Sequence, residues 1–524
     1  NDSTRVDVSA TNTGTGGSVA IWSDGTTRMS GTVVARGGAT SGNGGAVEVS
    51  GKDGLAFTGT VDVGAAHGTV GSLLLDPKNI QFSDQDLPAA PIHLLDPNPG
   101  SGNAFGQNVD YFNASGVRLF GPGGASTMAV RDFNDDNTSG NNAGAVYLFR
   151  LSDGALLSQL IGANANDRIG SNGIGATAGV NVVLSPQWGG GAGAITLFDA
   201  VNGTSGIVDS NSSVVGASSV DGVGNNVNAI RSLGGNALVL STPGFNGGAG
   251  ALTFGTTSSF KGTVGGGASL VGFDSGDGLG AVLLQPTDGT HWVVRTNHGG
   301  FGAVTFIDAA DPFKAIGTIS SANSLVGATS TDAIGIDGVF GIGGNHWLIV
   351  STQWTNPVGN IARVGAVTAF DGSTGKFLGT TTDLAGGAIT SSNSLVGGAA
   401  DDQIGNGGVV NAFTSNSGDV WAVLSPNWTN PAVTIPPLTN AGAITWIRPG
   451  QNITGLVAPG NSLAGTHPDD GVGNDVFWGG DIGFMRGGIS DIGNGNALVY
   501  VPNFNTDAGA VVFVDGSTST PTVG

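Results

Sequence analysis

Short apolar runs bounded by Gly, Asn, Asp and Thr recur along the whole chain, and runs of this length predict strands joined by tight turns rather than helices. Between positions 1 and 84 such runs are Arg5–Ala10, Ser18–Ser23, Gly31–Arg36, Gly44–Ser50, Gly59–Val63 and Ser72–Leu75, and their starting positions (5, 18, 31, 44, 59 and 72) are nearly evenly spaced. Such spacing suits the rungs of a parallel β-solenoid, in which each coil buries its inward side chains against its neighbours. A small sandwich is the alternative. Residues 85–102 carry Pro88, Pro91, Pro97 and Pro99 around the short run Ile92–Leu95, which reads as a junction into a second domain.

From Asn103 the chain repeats itself. An Asp-x-hydrophobic-Gly anchor stands at Asp167–Gly170, Asp221–Gly224, Asp277–Gly280, Asp332–Gly335, Asp402–Gly405 and Asp470–Gly473, with Asn103–Gly106 as a seventh. A period of roughly 60 residues suits a four-stranded blade with variable loops, and seven anchors predict seven blades. After Asp332 the order is a strand near Ile336–Ile342, a Gly343–Asn345 turn, a strand His346–Ser351, a long loop, a strand Gly365–Phe370, and an outer run Asn393–Gly397. Counterparts of the third strand are Ala192–Phe198, Ala249–Phe254, Gly302–Ile307, Ala441–Ile447 and Ala508–Val514.

The last repeat stops after its third strand, while Ile92–Leu95 lies where a fourth strand should precede the first anchor. The N-terminal strand is therefore expected to complete blade seven. In an antiparallel meander the second-to-third and fourth-to-first connections share one end, and the other two kinds of turn share the opposite end. On this scheme the solenoid joins the end opposite the second-to-third loops, leaving those loops free to meet a ligand.

Composition narrows the class. The 524 residues include 96 Gly and 20 Pro, which disfavours helices, and the glycines follow no G-X-Y period. A formal charge of −21 repels phosphate backbones and anionic lipid, so nucleic acid is not an expected partner. No run of about 18 apolar residues occurs, so no membrane insertion is expected, and the segment reads as a soluble piece of a longer chain. The lack of cysteine excludes disulfides and thiolate chemistry and suits export in an unfolded state.

Two resemblances follow. Gly44–Lys52 (GGAVEVSGK), Gly59–Asp62 and Gly71–Ile80 (GSLLLDPKNI) resemble filamentous-haemagglutinin-type exoproteins of two-partner secretion. The resemblance spans positions 1–84 and implies the end of a right-handed β-helix, secretion to the cell surface, an outer-membrane secretion partner and a role in adhesion. Phe105-Gly106 and Ala143–Phe149 (AGAVYLF) resemble the FG-GAP repeat of integrin-α-like β-propellers, although that family's DxDGDG calcium loops are nearly absent. Together they give an all-β fold: β-helix coils over 1–84, a junction and closing strand over 85–102, and a seven-bladed β-propeller over 103–524.

An aromatic recurs after the second strand at Trp188, Phe245, Trp354, Trp428 and Phe504, with Gly124 and His298 at the aligned positions of the other two blades. Flat rings flanked by the amides Gln187, Gln353, Asn427 and Asn503 could stack and hydrogen-bond a sugar; equally, a repeated aromatic packs neighbouring blades. The loops after Trp354 and Trp428 are long and begin alike, as Trp-Thr-Asn-Pro. In blade one, Asp132, Asn134 and Asp136 have a D-x-N-x-D spacing that could offer oxygens to Ca2+, without the turn Gly or the closing Glu. The anchor aspartates read as turn caps.

No HExxH, GxSxG or P-loop occurs. The expectation is a secreted adhesin or structural exoprotein segment, not an enzyme, that needs no cofactor and binds a cell-surface or matrix glycan or protein. A carbohydrate-active enzyme and a purely structural filament are the alternatives.

Overall fold

The computed structural model describes residues 3–77, 94–100, 102–103, 105–137, 140–281, 285–415, 418–431, 436–478, 483–516 and 522–523. The chain divides into two compact units, Asn1–Pro91 and Ile92–Gly524.

The described residues of the first unit form three parallel sheets. Arg5–Asp7 pairs with Thr32–Val34 and that strand with Thr60–Asp62; Ser18–Ser23 pairs with Ala46–Gly51 and that with Ser72–Pro77; Thr26–Met29 pairs with Gly54–Phe57. Like residues stack, with Val6 beside Val33 and Val33 beside Val61. The expected pairing of neighbouring runs is thus corrected. Successive apolar runs do not pair; every second run does, so that Thr32 stacks on Arg5 and Thr60 on Thr32. One turn of the chain takes in two of the apolar runs and, between them, a strand such as Thr26–Met29 or Gly54–Phe57. Met29, Val33, Ala35, Val47 and Val49 fill the core. Gly45 and Gly71 are required by close stacking: a side chain on Gly45 would collide with the Gly17 carbonyl, and one on Gly71 with the Gly45 carbonyl.

The second unit repeats a four-stranded antiparallel meander, the sheet topology of a propeller blade, and its described residues form seven such sheets. In sheet five the strands are Gly338–Gly343, His346–Ser351, Ala366–Asp371 and Ser394–Val396, paired in chain order. The central strands are apolar on both faces because each face meets a different neighbour. In strand Val180–Ser185, Val183 belongs to the core shared by sheets one and two, and Val182 to the core shared by sheets two and three. Leu348 and Ile349 divide in the same way between sheet six and sheet four. Six apolar clusters link the sheets in succession from one to seven.

Paired hydroxyls lock the third strand to the fourth. Thr196 pairs with Ser213 (2.7 Å), Thr253 with Ser269 (2.9 Å), Thr305 with Ser324 (2.7 Å), Thr368 with Ser394 (2.8 Å) and Thr445 with Ser462 (2.7 Å). The fourth strand would be an open edge, yet in several sheets the next repeat covers it. Gly206–Ile207, from sheet two's third-to-fourth connection, adds in parallel to Leu156–Ile161 of sheet one. Gly262–Thr263, Gly317–Thr318 and Gly455–Leu456 do the same for sheets two, three and five.

The ends depart from the expected closure. Ile92 and His93 lie outside the described residues, and Leu94 and Leu95 belong to no strand. Leu94 instead packs with Phe105 against Val130, Ala145, Tyr147 and Phe149 of sheet one. The fourth strand of sheet seven is Thr522–Val523, paired with Val514 and Asp515. The chain's own end supplies the edge assigned above to the N-terminal run. Among the described residues no apolar cluster joins sheet seven to sheet one, and Val511 and Phe513 are 59% and 45% exposed. Two further elements have no counterpart in the sequence pattern: a strand Arg118–Leu119 beside Val109–Phe112, and a hairpin Val476–Trp478 with Gly483–Met485.

Candidate functional site

The anchor aspartates organise the end of the sheets where the second-to-third connections lie. Asp332 Oδ2 accepts the backbone N–H groups of Ala328 (2.8 Å) and Thr329 (2.9 Å), and its Oδ1 accepts that of Thr355 (3.1 Å). Asp402 takes Gly398, Ala399 and Thr429; Asp167 takes Ala163, Asn164 and Gly189; Asp470 takes Thr466, His467 and Asn505. Each carboxylate caps the turn before it and ties that turn to the residue after the recurring aromatic, as the turn-cap reading expects. Burial raises the Asp402 pKa above the ordinary carboxylate value, outweighing the backbone N–H groups of Ala399, Thr429 and Gly398, which lower it. The anchor glycine is needed because it sits in the left-handed region, at φ 71° for Gly335 and 85° for Gly405. Its N–H reaches back to the serine ending the second strand: Gly335 to Ser351 and Gly405 to Ser425, both at 3.1 Å.

The aromatics do not make one exposed platform. Trp354 and Trp428 are 3% and 1% exposed, in the cores between sheets four and five and between five and six. Buried to this degree, neither ring has a face for a sugar, and the stacking expectation is corrected for both. Trp188 is half-buried and its Nε1 donates to the Val208 carbonyl (2.9 Å). Phe245 lies over Gly265, where any Cβ would strike the ring. Phe504 is half-buried, with His467 edge-on at 5.0 Å. Of the amides, Gln187 is exposed, Gln353 donates to Thr352 Oγ1 (3.3 Å), and Asn427 donates to Gln403 Oε1 (2.9 Å).

In sheet four His298 takes the aromatic's place. It is 7% exposed, stands edge-on to Phe273 and Phe301, and holds its Nδ1 3.8 Å from Asp277 Oδ2. The two long loops are closed at their bases by paired backbone bonds, Asn356 with Ile361 and Asn430 with Leu438. The shared Asn is thus the residue that starts a closed turn.

The D-x-N-x-D triplet does not converge. Asn134 Oδ1 accepts from Arg168 Nη2 (2.7 Å), and Asp136 Oδ1 accepts from the Asn142 N–H (2.7 Å). Asp132 instead meets Asp135 and Asp96, each offering a carboxylate oxygen within 4.8 Å of the others. Asp132 and Asp135 are buried; Asp96, from the junction, is half-buried. Asn98 Nδ2 donates to Asp135 Oδ1 (2.8 Å), and the Tyr147 hydroxyl donates to Asp135 Oδ2. Burial raises the Asp135 pKa, and the neighbouring Asp96 and Asp136 add to that rise. The spacing hides this cluster because Asp96 lies far off in sequence and Asp135 falls between the positions of the motif.

A protein-family model described as a repeat of unknown function (DUF5650) matches residues 176–225, 234–281, 290–336, 343–406 and 416–474, together just over half of the chain. Each segment ends one residue past an anchor glycine, so the family repeat and the structural repeat share a boundary. No curated protein matches. Among solved structures, the C-terminal WD40 domain of Sif2 is 12% identical, with 67% of this chain and 69% of that chain covered and a TM-score of 0.20. A eukaryotic initiation factor is 11% identical (81% and 88% covered, TM-score 0.25). BamB from Moraxella catarrhalis is 13% identical (74% and 81% covered, TM-score 0.20). At such TM-scores none of the three is a template for this chain. The repeat match stands on its own, and the chain belongs to the family of the repeat of unknown function DUF5650.

Proposed function

We propose that the chain is a segment of a secreted, cell-surface exoprotein, in which the first unit is the end of a right-handed β-helix stalk and the second is a seven-bladed β-propeller that acts in adhesion. Parallel strands stacked in register, Arg5 to Thr32 to Thr60, support the stalk, and seven consecutive meanders support the blade count. Leu94 and Phe105 on sheet one and the exposed Val511 and Phe513 on sheet seven are the two sides of the proposed seam. One observation carries the choice of a binding module over an enzyme. The anchor carboxylates of Asp167, Asp332, Asp402 and Asp470, which acid–base work would draw on, are each taken up by three backbone N–H groups and belong to the frame.

The partner is a cell-surface or matrix glycan or protein, reached after export through an outer-membrane secretion partner. No cofactor is required by this reading; a calcium ion fits at Asp96, Asp132 and Asp135 rather than at the D-x-N-x-D residues. The test coats the 524-residue chain on beads and measures attachment to cultured cells and to extracellular matrix, with and without EDTA. Saturable attachment, competed by soluble chain, is expected. Absent attachment, with self-assembled filaments under the electron microscope, would replace adhesion by a structural role.

A further inference from the structure

The connection between the first and second strands is two residues long in sheets two, three, five and seven. In sheet one it runs from residue 113 to 126 and includes the extra strand Arg118–Leu119. A non-repeated excursion on a repeated frame is where a binding site is expected, because packing between repeats does not require it. The excursion forms one wall of an open cleft of about 860 Å3, whose other walls are the first-to-second and third-to-fourth turns of sheet two and the third-to-fourth turn of sheet three. This cleft lies at the end of the sheets opposite the anchors and aromatics.

The chemistry of its lining is specific. Arg118 Nε and Nη2 both donate to Asp110 Oδ1, and Asp110 Oδ2 accepts from Arg131 Nε (2.8 Å). The guanidinium is fixed while the Arg118 side chain stays 44% exposed. Across sheet two's third-to-fourth turn, the exposed Asp199 is held by the N–H groups of Val201 and Asn202 (both 2.9 Å) and by Asn202 Nδ2 (3.0 Å). Two arginines and two aspartates balance locally, in a chain of net charge −21. The hydroxyls of Ser115, Thr177 and Ser258 line the same space, as do the exposed Val117 and Val201. Asn181 Nδ2 donates to the Gly116 carbonyl (2.9 Å) and Thr127 Oγ1 to the Ala200 carbonyl (2.6 Å), so the walls are tied together without a ligand.

We infer that this cleft binds a neutral hexose oligosaccharide, with Arg118 and Asp199 as fixed donor and acceptor to its hydroxyls and Val117 and Val201 against its C–H faces. Balanced charge suits an uncharged ligand. Paired donors and acceptors beside apolar carbons match the alternating surface of a sugar. The inference rests on the binding-module reading and names a site and ligand class for it.

The test uses the full 524-residue chain with cellotetraose, maltotetraose and mannotetraose, and with tetragalacturonate as the charged comparator, followed by saturation-transfer NMR and calorimetry. At least one neutral tetrasaccharide should bind saturably. Arg118→Ala leaves Asp110 paired with Arg131 and should weaken binding at least tenfold; Ser258→Trp, at an exposed turn, should abolish it with the melting temperature unchanged. No binding of any neutral tetrasaccharide, binding confined to tetragalacturonate, or binding indifferent to Ser258→Trp would overturn the inference. Attachment to cells that survives Ser258→Trp would leave the adhesion proposal standing while removing this site, and sugar binding without attachment would do the reverse.

Discussion

Thr355 donates its backbone N–H to Oδ1 of Asp332, 3.1 Å away and in the turn that precedes the first strand of the same sheet, and the residue just before Thr355 is the buried Trp354. Anchor and aromatic are therefore one device, in which the carboxylate holds the loop that puts the ring into the core. Asp332→Ala leaves the N–H groups of Ala328, Thr329 and Thr355 without their acceptor and is expected to cost about 2–4 kcal/mol of stability. Denaturant unfolding measures it; a loss under about 0.5 kcal/mol would show that water replaces the carboxylate.

The tryptophans separate frame from surface. Trp354→Ala and Trp428→Ala are each expected to lower stability by about 3–5 kcal/mol, since each leaves a large cavity between two sheets. Sugar binding by the molecules that remain folded should be unaltered. Calorimetric titration below the melting transition checks this.

Phe254 and Phe513 occupy equivalent places in the third strands of sheets three and seven, yet Phe254 is 1% exposed and Phe513 45%. Phe254→Ala should cost about 3–5 kcal/mol, read from denaturant unfolding, and Phe513→Ala a comparable amount if the proposed seam closes over it; a loss of less than about 1 kcal/mol would show that sheet seven stays open and would count against the seam. Equal losses would mean that the last sheet is covered in solution, as a closed seam requires.

Two aspartates should titrate in opposite directions from their common ordinary value of 3.8. Burial pushes Asp288 up, but bonds from the Thr290 and His291 backbone, the His291 ring and the Thr290 hydroxyl outweigh it and bring its pKa to about 2. Its stabilising contribution is present above about pH 4 and is lost as pH falls toward 2. Asp402 is raised chiefly by burial, so ionising it weakens the fold as pH rises from 3.8 through its folded value, and the loss is recovered on acidification. Carboxyl carbon shifts followed from pH 7 to 2 should show one midpoint near 2 and the other above 3.8.

Much of the frame is legible in the sequence because its causes are local. A glycine that must take positive φ, an aspartate that caps a turn and an apolar run buried on both faces each leave a mark at fixed spacing, as at Asp332–Gly335. What is not legible depends on partners far apart in the chain. Thr368 and Ser394 sit within recognisable motifs, but nothing in either motif says that they bond each other. Asp96 joins Asp132 and Asp135 only through the fold. The strand pairing of the first unit is hidden for a related reason: the run that follows Arg5–Asp7 belongs to a different sheet, and apolar spacing alone does not say which runs pair.

The added parallel strands carry a consequence for how the chain is made. Leu156–Ile161 of sheet one acquires its last neighbour only when Gly206–Ile207 has emerged, and sheets two, three and five wait in the same way for the repeat that follows. During synthesis, then, each of these four sheets stays unfinished at its margin until part of the following repeat has emerged.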